Sequence, residues 1–182
     1  EAGAVPAAAA TTGVASTNNP PADLLTAPAA TPAAGPTPER LAAVQAILKP
    51  ATEDAGDDEY TYGFRLWSGG FYPEAQQQLA LFLERYPTHS RESFARNLLG
   101  RAYLDAGDAR TAAAYFVENY LDDKQAPRAA DSLLYLAEAA AALNDTSRAC
   151  IALAEFGETF PALATGRLKT QYDATRARVS CQ

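Results

Sequence analysis

A 37-residue repeat is the feature of this sequence that most constrains its fold. When the chain is aligned with itself at that shift, small residues recur in three sets of positions and large apolar residues recur in a fourth. The sets are Gly63, Gly100 and Ala137; Gly70, Gly107 and Asn144; Ala75, Ala112 and Ala149; and Leu79, Phe116 and Leu153. A period of about 20–50 residues is typical of solenoids, in which each unit buries its apolar face against its neighbours.

Each unit is predicted to be a helix, a tight turn and a second helix. The set of two glycines and an asparagine consists of residue types that tolerate the left-handed conformation just after a helix ends. Asp108 and Asp145 come next and suit the N-cap of the following helix. Small residues before and after the turn allow the two helices to approach closely. Pro87 and Pro161 end the second helices of their units, because proline cannot continue a helix.

The spacing within the units resembles that of the tetratricopeptide repeat. The residues that carry the resemblance are Gly63, Ala75, Leu79 and Pro87, then Gly100, Tyr103, Ala112 and Phe116, then Ala137, Ala149, Leu153 and Pro161. The resemblance implies an all-α solenoid of three helix pairs, with repeats at about 57–89, 90–126 and 127–161. A capping helix is predicted at 162–180, with an inward stripe of Leu168, Tyr172, Thr175 and Val179.

Residues 1–56 are predicted to be a disordered linker rich in alanine, proline and threonine, so that the folded domain spans 57–182. No aromatic residue precedes Tyr60, and such a segment cannot bury enough apolar surface to offset its chain entropy. Within the linker, residues 39–49 have the apolar spacing of a short amphipathic helix. A helix this short either docks on the folded part or frays.

Charge and composition exclude some functions. The net charge is −7, and much of it lies in one acidic run, Glu53–Glu59, which is predicted to be a solvated lead-in to the first helix. No basic stripe is present, so nucleic acid is a poor candidate partner, and no apolar stretch is long enough to span a bilayer. The chain opens on Glu-Ala-Gly-Ala and contains no methionine. This fits cleavage after a removed signal peptide, and the alternative is a domain excised from a longer protein.

The sequence contains no HExxH, CxxC or P-loop motif. Its one histidine, His89, lies in a predicted turn, where an imidazole is expected to be solvated. We therefore predict a protein that is not an enzyme and uses no cofactor or metal ion.

The two cysteines, Cys150 and Cys181, are predicted to lie towards the same end of the domain. Cys150 is in the second helix of the third repeat, and the capping helix that ends near Cys181 should run antiparallel to it. A tail after Ser180 that folds back would allow a disulfide, which requires an oxidising compartment. The alternative is two unrelated thiols.

The first helices of the repeats are predicted to line a concave groove that binds a partner protein. The candidate partner-binding residues are Tyr60, Phe64, Trp67, Phe94, Asn97 and Arg101. Aromatic and arginine side chains are enriched at binding hot spots, although any of these aromatics could instead belong to the core between repeats. The groove does not look basic, so a clamp on a partner's C-terminal carboxylate is not expected.

The segment 62–181 resembles the C-terminal repeat domain of the CpoB/YbgF family of the Tol–Pal system, and the strings that carry the resemblance are 66–75, 82–87, 100–103 with 107–108, 126–134 and 148–153. The resemblance implies a periplasmic protein that binds TolA and a bifunctional peptidoglycan synthase. Such a protein coordinates wall synthesis with outer-membrane constriction during cell division. That family typically begins with a trimerising coiled coil, whereas the N-terminal segment here has no heptad pattern.

Two other classes stay open. One is a different exported repeat protein that scaffolds outer-membrane or envelope assembly. The other is a cytosolic co-chaperone, which free thiols and a basic groove would favour.

Overall fold

The computed structural model describes residues 37–181, and within this range every regular element is an α-helix. The predicted all-α repeat class is therefore confirmed. The described helices are α1 (Pro38–Gln45), α2 (Ala55–Ser68), α3 (Tyr72–Arg85), α4 (Glu92–Asp105), α5 (Ala109–Asp122), α6 (Ala129–Ala142), α7 (Thr146–Thr159), α8 (Pro161–Thr165) and α9 (Lys169–Arg178). Helices α2 to α7 form three helix–turn–helix pairs. The prediction of disorder before residue 37 falls outside the described range.

The turns inside the pairs have the conformation that their residue types predict. Gly70, Gly107 and Asn144 adopt positive φ angles of 77°, 90° and 59°. Asp108 and Asp145 then cap α5 and α7, each accepting a hydrogen bond of 3.0 Å from a backbone N–H three residues on. Each turn thus reverses the chain within a few residues, and the two helices of a pair pack side by side.

Close approach at one glycine shows how tightly a pair is packed. A Cβ atom added to Gly100 would lie 2.5 Å from the Phe116 ring, which is fully buried. The ring of α5 therefore lies directly against the backbone of α4. Along the stack, successive clusters of this kind form the core, whose largest fully buried side chains are Leu66, Leu79, Phe82, Leu99, Phe116, Leu133, Leu134 and Phe156.

The short helix α1 docks on the repeats. Val44 and Ile47 pack against a cluster that contains Leu66. Arg40 donates two hydrogen bonds to the carboxylate of Glu74 in α3, at 3.0 and 2.7 Å. The compact unit consequently begins at Thr37 and not at residue 57.

The acidic run differs from the solvated lead-in that its charge predicts, because two of its members are buried. Asp58 accepts hydrogen bonds from the backbone N–H and the hydroxyl of Thr52, at 2.7 and 2.9 Å. Glu59 accepts one from Lys49 Nζ at 2.5 Å. These carboxylates fasten the chain before α2 to the domain, and Asp54 alone caps the helix.

The C-terminal cap is two helices, α8 and α9, where one helix over 162–180 was predicted. The break falls at Gly166, where an added Cβ atom would lie 2.7 Å from the carbonyl oxygen of Ala162. The predicted inward stripe survives because α9 still packs on the third repeat. Leu168 and Thr175 are buried, and Tyr172 and Val179 pack against the same core.

Candidate partner-binding surface

The first helices α2, α4 and α6 form one surface of the stack, which we call the inner face. Three residues from these helices form an arginine sandwich: Trp67, Arg101 and Tyr135. The guanidinium carbon of Arg101 lies 4.2 Å from the Trp67 ring centroid and 5.0 Å from that of Tyr135. The planar cation is thereby held between two rings.

The edges of the sandwich fix its geometry and leave donors available. Trp67 Nε1 donates a hydrogen bond of 2.7 Å to Asp105, which orients the indole. Phe64 lies beside Trp67, with ring centroids 5.8 Å apart, and remains 43% exposed. Within residues 37–181, Arg101 makes no ion pair and no side-chain hydrogen bond, so its N–H groups are free to meet a ligand.

A second group on the inner face, the Tyr60 cluster, consists of Tyr60, Phe94, Arg91 and Arg128. The two rings meet edge to face with centroids 6.4 Å apart. Arg91 lies over both rings, at 5.3 and 5.4 Å, and Arg128 lies 4.9 Å from the Phe94 centroid. Burial raises the pKa of Tyr60, so its ring stays neutral at physiological pH.

Asn97 lies beneath this surface and not on it. Its side chain is buried and donates a hydrogen bond of 2.9 Å to the hydroxyl of Ser132 in α6. The same hydroxyl accepts a bond of 2.8 Å from Asn119 in α5. Asn97 is four residues before Arg101 and so shares its side of α4. The neighbouring helix α6 covers that part of α4. Asn97 was predicted to face a partner, but its side chain instead links α4 to α6.

Carboxylates balance the arginines of the inner face. Arg91 pairs with Asp57 at 2.6 Å, and Arg167 bonds both oxygens of Asp131 at 2.8 and 2.9 Å. Burial raises the pKa of Asp131, but the hydrogen bonds and charges of Arg167 and Arg128 outweigh it and hold the pKa below its usual value. Arg101 is thus the arginine of this face with no acidic partner among the described residues.

Sequence reasoning missed four side chains of this surface: Arg91, Arg128, Tyr135 and Arg167. Arg91 and Arg128 were detectable, because they lie one 37-residue period apart, immediately before the first helices of two successive repeats. Tyr135 and Arg167 have no such signal, since their roles depend on partners more than 30 residues away.

Cys150 lies in α7 and Cys181 follows α9, whereas His89 lies beside the Tyr60 cluster, where its Nδ1 accepts a hydrogen bond of 3.1 Å from the backbone N–H of Arg91. Cys150 and Cys181 are at disulfide distance, with Cα atoms 5.5 Å apart. The chain after α9 turns back towards α7 to reach this position. His89 is not solvated as expected, because its imidazole packs on Phe82 and its Nε2 lies 3.1 Å from Asp54.

Within the described range, no cluster of three or more histidine, cysteine, aspartate or glutamate side chains is arranged to hold a metal ion. The helices of that range are also too short or too polar to cross a membrane.

The fold and this surface define a class: a tetratricopeptide-repeat solenoid, a fold that typically serves as a non-catalytic scaffold for protein–protein interaction. A sequence profile of the tetratricopeptide repeat matches residues 131–162. Among solved structures, PcrH from Pseudomonas aeruginosa has a similar fold, with a TM-score of 0.57 at 19% sequence identity. The alignment covers 74% of this chain and 96% of that one. No curated protein matches the sequence.

Proposed function

We propose that this protein is a non-enzymatic adaptor whose inner face holds a segment of a partner protein. The observation that carries the proposal is the arginine sandwich: a guanidinium fixed between Trp67 and Tyr135, with no carboxylate partner among the described residues. A preoriented cation of this kind loses little conformational entropy when it donates hydrogen bonds to a ligand.

The surroundings of Arg101 indicate what the segment looks like. Phe64 offers exposed aromatic surface beside it, next to the partly buried Trp67, and tryptophan, tyrosine and arginine are the residue types enriched at hot spots. The other arginines of this surface have carboxylate partners: Asp57 pairs with Arg91, and Asp131 is shared by Arg128 and Arg167. The surface therefore suits an apolar segment with one carbonyl or carboxylate group aimed at Arg101. Tyr60 and Phe94 extend the aromatic surface along it.

Substitutions in the sandwich test this proposal. We expect Arg101→Ala to weaken partner binding by about 2 kcal/mol or more while leaving the fold intact, because the partly buried arginine is not part of the apolar core. Arg101→Lys keeps the charge and loses the planar stacking, so it should restore only part of the affinity. Binding is measured by calorimetry and folding by circular dichroism.

Two further variants separate binding from stability. Phe64→Ala changes an exposed ring and should affect binding more than folding. Trp67→Ala also removes the bond to Asp105 and should lower both. If Phe64→Ala, Trp67→Ala and Arg101→Ala all bind as the parent does while folded, the inner face is not the site.

We further propose that the protein acts in the periplasm, in a Tol–Pal type of system, where it binds TolA and a bifunctional peptidoglycan synthase during cell division. The support is the resemblance of the repeat strings to the CpoB/YbgF family and a cysteine pair that suits an oxidising compartment. Titration of the purified protein with the periplasmic part of TolA tests this setting. Absence of binding would favour another exported repeat scaffold of envelope assembly.

A further inference from the structure

An open apolar groove of about 480 Å³ lies between the second helices α5 and α7, with α6 as its floor. We call it the outer groove, and it does not involve the residues of the inner face. The residues at its floor are Leu133, Leu136 and Ala140 of α6, together with Ala152 of α7. Four large hydrophobic side chains on its rim are exposed: Val117, Leu121, Leu143 and Ile151. Exposed apolar surface gathered in a single concave place marks interaction sites.

The preceding repeat shows why the groove is open. There, Tyr103 and Tyr115 stack with their ring centroids 5.5 Å apart. The residues one 37-residue period later are Ala140 and Ala152. Two aromatic rings that fill the space between helices in one repeat are therefore missing from the next, and the outer groove occupies their place.

The residues on the rim also differ from those at the matching positions of the preceding repeat. Leu121 and Ile151 stand where the preceding repeat has Glu84 and Ala114. On the floor, Leu133 matches Arg96, which in the preceding repeat forms ion pairs with three carboxylates. Charged or small side chains have thus been replaced by large apolar ones at the positions where this cavity opens.

The two ends of the groove differ in charge. Arg110 and Arg148 lie in the first turns of α5 and α7, at one end. Arg110 makes no ion pair among residues 37–181, whereas Arg148, whose side chain is 78% exposed, lies 3.3 Å from Asp145, which also lines this end. At the other end, Glu155 closes the groove by accepting hydrogen bonds from Tyr120 at 2.5 Å and Lys124 at 2.9 Å. The end with the two arginines therefore keeps a net positive charge, and Arg110 is its arginine without an acidic partner among the described residues.

We propose that the outer groove binds an amphipathic helix of a partner protein. Its apolar face carries an aromatic side chain that occupies the space of the missing tyrosine pair, and a carboxylate lies at the end that meets Arg110 and Arg148. From Arg110 to Leu121 the wall of α5 is about 16 Å long, which matches three turns of a helix with apolar residues at i, i+4 and i+7.

A synthetic helical peptide tests the proposal. The probe has 16 residues, with tyrosine, leucine and leucine at i, i+4 and i+7, a glutamate at one end and a fluorescein-labelled lysine at the other. Fluorescence anisotropy should show saturable binding. Leu121→Glu and Ile151→Ala, which introduce the residues of the preceding repeat, should each weaken binding at least about tenfold. Both side chains are more than 60% exposed, so the fold should be unaffected.

Matched controls define the site. Leu48→Glu changes a leucine that is 74% exposed and lies outside the groove, and it should leave binding unchanged. Arg110→Ala should weaken binding of the glutamate peptide and have little effect on the same peptide with glutamine.

Three results would overturn the proposal. The first is no binding at peptide concentrations up to about 1 mM. The second is equal binding by the Leu121→Glu and Ile151→Ala variants, or loss of binding in the Leu48→Glu control. The third is a dimer of this chain in sedimentation equilibrium that Leu121→Glu dissociates, since the groove would then be filled by a second copy.

Discussion

Asp131 is a buried side chain that ties the inner face to the C-terminal cap. It is buried in α6 and accepts hydrogen bonds from Arg167, which precedes α9, and from Arg128 at 3.0 Å. Because its pKa is held below the usual value, its ionised form stabilises the folded state. That contribution is fully present above the pKa of the unfolded chain, about 3.9, and is lost as the pH falls through the lower folded value.

Asp131→Asn should therefore lower the free energy of unfolding at pH 7 by about 1.5–3 kcal/mol, the range for hydrogen bonds to charged groups. The difference from the parent should shrink as the pH falls from about 4 towards the lower folded pKa, because the carboxylate is protonated first in the unfolded chain and only later in the folded one. Urea unfolding at pH 7 and pH 3 measures both values. A difference that does not change with pH would show that the charge of Asp131 is not the cause.

Gly100 gives a second prediction at this scale. Gly100→Ala should destabilise the protein by about 1–3 kcal/mol, because the new methyl group meets the Phe116 ring in a closed core. The third repeat has Ala137 with Leu153 at the matching positions. Adding Phe116→Leu to Gly100→Ala should thus recover part of the loss. A double-mutant cycle by urea unfolding measures the coupling, and additive effects would contradict the contact.

The helices and turns show what could be predicted from sequence. The turns with Gly70, Gly107 and Asn144 were predictable because their conformations follow from residue type and local spacing. The break at Gly166 was not predicted, because it depends on how close the carbonyl oxygen of Ala162 in α8 lies to Gly166. The docking of α1 was also not predictable from local sequence, since Arg40 pairs with Glu74, which lies 34 residues later in the chain.

In the candidate site, too, features set by local spacing were predictable and features set by contacts between distant residues were not. Trp67 and Arg101 were predicted because helical spacing places aromatic and cationic side chains on the first helices. Asn97 was misplaced because spacing alone does not show that α6 covers its side of α4. The third member of the sandwich, Tyr135, lies on the next repeat, and its distance from Arg101 depends on how the repeats stack.

The cysteine pair yields a prediction for α9. We expect Cys150 and Cys181 to be bonded in the protein isolated under oxidising conditions. A link across 31 residues contributes about 3–4 kcal/mol in the chain-entropy model. Reduction should lower the urea midpoint to that of Cys181→Ser, whose own midpoint should not respond to reductant. Two alkylatable thiols in protein freshly prepared without reductant would contradict the bond.

Across residues 37–181, burial is greatest in the third repeat and least in α1 and α9. Helix α6 buries nine of its 14 residues, whereas α1 buries none and α9 buries only Thr175. A repeat stack has its stability distributed according to such local packing. The middle of the described chain should therefore open only with global unfolding, and the ends should open more often.

Hydrogen exchange measures this distribution. Amides of α6 should exchange most slowly, and those of α1 most rapidly among the described helices. Reduction of the cysteine pair should accelerate exchange in α9 and leave α1 unchanged, which makes α1 an internal control. Uniform protection from α1 to α9 would mean that the stack unfolds as one unit without fraying ends.

The return of the chain from α9 to α7 also has a mechanical consequence. With Cys150 and Cys181 bonded, a pulling force applied at the C-terminus enters α7 through the sulfur atoms. Helices α8 and α9 then lie within a closed loop and carry no tension. A force applied to the described chain at Thr37 is not diverted by a cross-link. It acts first on α1, which is held by the Arg40–Glu74 pair and a small apolar contact. Pulled from both ends, the molecule should peel from α1 inward, so tension would be relieved on the side away from the third repeat.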